Sequence, residues 1–212
     1  MGTTSDEWAI VGLGNPGPGY RESRHNVGFW VVERLAGASR AALVGDRSGS
    51  LVARTLLGDR RVFLAQPQGY MNRSGAPTQA LLHYYRIPVE RLIVVHDDMD
   101  LPAGWLRVKR GGGHGGHNGL RSIHQALGTA DYLRVKVGIG RPRPGLDATA
   151  HVLGKLPPDE RALLEEACDR AADAVAAIVH HGVTTAMNRF NAPPETESKK
   201  PGPAQPPPKE SP

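Results

Sequence analysis

Between residues 9 and 190, short β-branched runs alternate with stretches of helical periodicity, and few folds accommodate that order. Residues 9–12 form a short apolar run, and residues 27–36 follow with Val27, Val31 and Leu35 at helical spacing. Residues 50–57 and 61–66 alternate around Gly58 and Asp59, a hairpin signal. A helical segment over 78–85 stops before Pro88, and the apolar run 92–95 leads into His96, Asp97 and Asp98. Strand signals at 106–109 and 133–139 flank a helical one at 117–127. The clearest helix covers 159–180, with two prolines before it, acidic residues in its first turn and Gly182 after it. Residues 183–190 read as a last short helix. Such alternation predicts a single α/β domain: a mostly parallel β-sheet covered by helices on both faces. Ligands of such sheets sit beyond the carboxyl ends of the strands, which is where Asn15 and Asp98 are expected.

The chain has 212 residues, enough for one domain with a sizeable core. That body is expected over residues 8–191, after a flexible N-terminus at 1–7. The tail, 192–212, holds eight prolines and no aliphatic side chain larger than alanine, and is expected to be disordered. No apolar run approaches the ~20 residues of a membrane span, and no secretory leader is visible. Cys168 is the only cysteine and falls in a helical pattern, which suits a packed thiol and a reducing, cytoplasmic setting. A net charge of +5 suits a polyanionic partner without requiring one.

The loop after the first strand runs IVGLGNPGPGYRESRHNVGF over 10–29, and Gly12, Gly14 and Gly17 fit the glycine spacing of a dinucleotide-binding turn. Other residues speak against that reading. Pro16 and Pro18 remove two backbone donors, and no acidic residue closes a second strand at the distance a ribose contact requires. A metal site is a second possibility, since His114 and His117 stand three apart with His96, Asp97 and Asp98 as further donors. Their loop carries six glycines among nine residues, a poor rigid support for ligands. No nucleophile elbow is present, so a covalent intermediate has no evident carrier. What remains is water activated by a histidine that a carboxylate orients, with His25 and Asp98 as the expected pair. Asn15, Asn72 and Asn118 lie in loops beside glycine or proline and offer uncharged hydrogen bonds for esters and amides.

Five ordered blocks carry a resemblance: the opening loop, GYMNRSG, HDDMDLPAG, GGGHGGHNGLRSI and VGIGRP. Together they resemble the bacterial peptidyl-tRNA hydrolase family, over residues 10 to about 190. The resemblance implies a monomer with a twisted mixed sheet packed between helices. It implies hydrolysis of the ester that joins a peptide, or a blocked amino acid, to the 3′ end of tRNA, with no metal or organic cofactor. It makes His25 the base, Asp98 its supporting carboxylate, and Asn15 the residue that distinguishes blocked from free aminoacyl-tRNA. Tyr20, Tyr70, Met71, Asn72, His117 and Asn118 become further contacts to the tRNA or its peptide. Lys109 and Lys136 match a clamp on the tRNA 5′ phosphate. The second clamp position is commonly arginine, and lysine keeps the charge without the bidentate fork. Arg110, Arg121, Arg134 and Arg141 are candidates to compensate. Residues 145–155 match a mobile lid. Gln68 and Gly69 depart from the commonest wording, and the tail lies outside the family core. A non-catalytic RNA-binding relative is the rival reading, and a metal-dependent hydrolase ranks behind it.

Overall fold

A computed structural model describes residues 6–193. The expected tail therefore lies outside the described residues from position 194 on. The strands are β1 (Trp8–Gly12), β2 (Val44–Gly45), β3 (Ser50–Leu57), β4 (Arg60–Pro67), β5 (Leu92–Asp98), β6 (Leu106–Arg110) and β7 (Leu133–Gly138). The helices are α1 (Val27–Ala38), α2 (Gly75–Tyr85), α3 (Asn118–Leu127), α4 (Ala148–Leu153), α5 (Pro158–His181) and α6 (Val183–Phe190). One sheet takes all seven strands in the order β2-β3-β4-β1-β5-β7-β6. It is parallel at its centre, from β4 through β1 and β5 to β7, and antiparallel towards both edges.

The central strands are apolar on both faces because helices cover both. Ile10, Ile93, Val95 and Val135 point into a core shared with α1, α5 and α6. Ala9, Val11, Leu92 and Val94 point the other way, into a core shared with α2 and α3. Cys168 is wholly buried in the first of these cores, and burial pushes its thiol up to about 12, as suits a packed side chain.

The glycines of the opening loop serve packing more than turning. A Cβ on Gly12 would stand 2.1 Å from the carbonyl oxygen of Gly28, and one on Gly28 would stand 2.4 Å from the Leu13 nitrogen. Gly12 and Gly28 thus let the start of α1 cross directly over the end of β1. Of the three glycines in the dinucleotide-like spacing, only Gly17 has a positive φ, at 105°.

The parallel arrangement collects loops at one edge. Beyond the carboxyl ends of β1 and β4 lie Asn15 and the 3-10 turn Met71–Arg73, and Asp97 and Asp98 are the last two residues of β5 at that edge. Since β6 runs antiparallel to β7, the chain leaving β6 must return along the sheet to start α3 at that same edge. The glycine-rich segment makes this return. Among the described residues, no helix is long and apolar enough to cross a membrane.

Candidate active site

His25 sits in a 3-10 turn, Arg24–Asn26, that leads into α1. Its Nδ1 lies 2.9 and 3.0 Å from the two carboxylate oxygens of Asp97. The expected partner, Asp98, pairs instead with Lys136. The correction has a simple physical cause. Successive strand residues point to opposite faces, so stepping one position along β5 turns the side chain to the other side of the sheet. Asp97 follows Val95 towards the α1 side, and Asp98 follows His96 towards the side where β7 presents Lys136 opposite His96.

Asp97 has a second histidine. His117 Nε2 lies 3.0 Å from its Oδ1. His117 is also the N-cap of α3, with its Nδ1 accepting from the Gly119 and Leu120 amides. Those backbone donors fix the tautomer: Nδ1 accepts, so Nε2 carries hydrogen and donates to Asp97. Burial opposes ionisation of Asp97, which is 3% exposed, yet the two histidines outweigh it and hold the carboxyl well below its usual range. Burial likewise opposes protonation of His25. The Asp97 charge and hydrogen bond outweigh that too, and the net shift of His25 is upward. His96, wholly buried, is held well below the usual imidazole value, first by burial and then by neighbouring His117. Its Nδ1 donates to the Asp97 carbonyl at 2.7 Å.

Asn15 is 6% exposed and locked from two sides. Asn26 brackets its backbone, accepting from the Asn15 amide at 2.9 Å and donating to the Asn15 carbonyl at 3.0 Å. Asn15 Oδ1 accepts from the Met71 amide at 2.7 Å. A backbone N–H can only donate, so the side-chain oxygen is committed and Nδ2 is left as a donor. Asn15, His25, Tyr70, Asn72 and Asn118 line one groove of about 430 Å³. Met71 is buried beneath it, and Tyr20 meets Tyr70 edge to face at 6.3 Å. Asn118 Oδ1 accepts from Arg121 at 3.3 Å.

A second recess of about 240 Å³ holds His25, Asp97, Asp98, His117, Arg134 and Lys136. Thr149 and Val152 of α4 line both recesses. The structure therefore brings His25, Asn15, Tyr70, Asn72, His117 and Asn118 together. Lys109 stands diagonal to Lys136 on the same face of β6 and β7. Burial, with Lys136 and Arg134 adding repulsion, pushes its ammonium down.

Three of the four candidate arginines are engaged within the protein, while Arg121 lines the groove beside Asn118. Arg134 is wholly buried and grips the glycine loop, donating to the carbonyls of Gly112 and Gly113. Arg110 pairs with Asp131 and Arg141 with Asp100. Nor do His114 and His117 share a metal-like geometry. The trio among the described residues whose ligand atoms lie close enough is His25, Asp97 and His117, within 4.8 Å of one another. Those atoms are already hydrogen-bonded together, which supplies a metal-free reason for their approach. Asp97 was legible as part of the His96–Asp98 cluster, but one-dimensional spacing carries no signal for which of two adjacent aspartates turns towards His25.

The family model described as peptidyl-tRNA hydrolase matches residues 9–200. A peptidyl-tRNA hydrolase from Frankia casuarinae is 48% identical over 190 residues, covering 90% of this chain and 96% of that one. One from Chloroflexus aurantiacus is 47% identical over 185 residues, covering 87% and 98%. The crystal structure of peptidyl-tRNA hydrolase from Acinetobacter baumannii superimposes with a TM-score of 0.83 at 40% identity, over 91% of this chain and 98% of that one.

Proposed function

The chain belongs to the peptidyl-tRNA hydrolase family and hydrolyses peptidyl-tRNA, and we propose that it does so with His25 as general base, oriented by Asp97. The observation that carries this assignment is the 2.9 Å contact between His25 Nδ1 and Asp97 Oδ2. With Nδ1–H donated to the carboxylate, the lone pair of Nε2 is left to take a proton from water. The water then attacks the ester carbonyl, and the tRNA 3′ oxygen leaves with the proton that His25 returns. An acyl ester is already reactive, so base catalysis of roughly 10²–10⁴-fold goes far. Asn72 and Asn118 amide groups, at the rim of the same groove, are suited to hold the ester oxygen as charge develops on it.

Asn15 gives the site its preference for blocked substrates. Its free Nδ2 is a donor, and an acylated amino group presents a carbonyl oxygen that accepts. A free aminoacyl-tRNA presents an ammonium, which cannot accept and leaves the buried donor unpaired. Lys109 and Lys136 lie on one strip of the sheet and are suited to a phosphate of the tRNA acceptor end. For Lys136 that contact competes with Asp98.

The test is a paired assay. Purified protein should release tRNA from N-acetyl-aminoacyl-tRNA and leave free aminoacyl-tRNA largely intact; equal cleavage of both would remove the Asn15 role. His25→Ala should lower turnover by about 10²-fold or more while tRNA affinity stays similar. Turnover that survives this substitution would show that His25 is not the base.

A further inference from the structure

The residue before His25 ties three elements together. Arg24 is 7% exposed, and its guanidinium forks onto Glu160 in the first turn of α5, Nε to Oε1 at 2.6 Å and an Nη to Oε2 at 2.5 Å. The remaining Nη donates to the carbonyl of His151 in α4 at 2.9 Å. A planar guanidinium holding two acceptors on one carboxylate and a third on another element has little freedom to move. The segment it holds needs support, because α4 has six residues and so short a helix is not stable by itself.

The other fastenings of α4 converge on the same region. Asp147 caps it, accepting from the Thr149 and Ala150 amides. His151 Nε2 donates to the Gly140 carbonyl at 3.0 Å. Just beyond its end, Lys155 bridges in antiparallel fashion to Ser23, the residue before Arg24. Helix α4 thus packs on the turn that carries His25. Its Thr149 and Val152 form part of the wall of both recesses.

We infer that Arg24 is a positioning residue, which fastens α4 and α5 to the His25 turn so that the base and the wall facing it hold one geometry. The inference rests on His25 being the base. A small displacement of a base from its water costs far more in turnover than in binding, because the geometry matters most in the transition state.

Arg24→Lys keeps the charge but replaces a three-point hold with a single point. In this variant kcat should fall about 10- to 100-fold, with KM changing by less than about threefold. Amide exchange at Ala148–Leu153 should quicken, while exchange in β1 stays as in the parent protein. Glu160→Gln should act in the same direction and less strongly, and the double variant should be no worse than Arg24→Lys alone. Val62→Ala, a core truncation at the far end of β4, should lower the melting temperature and leave kcat unchanged, which separates positioning from general destabilisation. Near-parental kcat in Arg24→Lys would overturn the inference, and so would a loss of kcat without faster exchange in α4. If His25→Ala retains turnover, the base assignment is what fails, and amide exchange still judges the fastening independently of activity.

Discussion

Asp97 and Asp98 differ by one position and by everything they touch. Asp97 is bound by two histidines at the edge of the sheet, and Asp98 by a lysine on the opposite face. Asp97→Asn should therefore lower kcat by about 10²–10⁴-fold, since a neutral amide no longer holds the Nδ1–H tautomer of His25. It should also move the acid limb of the pH–rate profile. The folded value of His25 lies above the ordinary ~6.5, so activity should rise as the pH climbs through that higher value and the base becomes neutral. Without the Asp97 charge, burial alone remains and lowers the value, so the limb should shift to lower pH. An unmoved limb would mean that another group sets it. Asp98→Asn should cost less turnover and instead free Lys136, read as tighter tRNA binding at low salt. Asn15→Asp keeps an acceptor for the Met71 amide but replaces the free donor with a second charged acceptor. Discrimination against free aminoacyl-tRNA should shrink by about tenfold or more, consistent with a hydrogen bond of roughly 1–3 kcal/mol. Unchanged selectivity in the paired assay would refute the donor role.

At the scale of elements, the site depends on close approaches that few residues permit. Helix α1 reaches the end of β1 because neither Gly12 nor Gly28 has a side chain. Gly28→Ala would drive a methyl group into the backbone of Leu13 and Val95, and should lower stability by about 1–3 kcal/mol or more. Thermal denaturation would show it, and a melting temperature equal to the parent's would contradict so tight a crossing. Helix α3 starts on His117 rather than on the usual small polar cap, and this links capping to the site. The glycine-rich return before it gains its order from Arg134, whose buried guanidinium holds two of its carbonyls. At the far edge, Asn191 closes the exposed side of β6 by bonding both backbone groups of Val108.

For the whole molecule, the excess of five positive charges becomes meaningful once the sheet brings Lys109, Lys136 and Arg134 onto one face. Their roles then diverge, because Arg134 is sealed inside and committed to the glycine loop, which leaves Lys109 as the proposed phosphate contact. Lys109→Ala should weaken tRNA binding and reduce the slope of log affinity against log salt by about 0.7–0.9, the value for one phosphate contact. Filter binding across a salt series would read it, and an unchanged slope would remove Lys109 from the interface.

The alternation of strand and helix signals, the buried character of the central strands and the five motif blocks were all legible along the chain. They follow from local periodicity, residue types and the wording of those blocks, which is why the α/β class could be named, and His25 and the three asparagines singled out as candidates, without coordinates. Short-range pattern does not report direction. Which of two neighbouring aspartates faces His25, which side of the Asn15 amide is free, and whether an arginine is a surface cation or a buried brace depend on strand register and on contacts between residues far apart in sequence. Tertiary structure alone decided these. The fold brought β5, the His25 turn and the cap of α3 to one edge of the sheet, and there a period of two turned Asp97 towards His25 and Asp98 away from it.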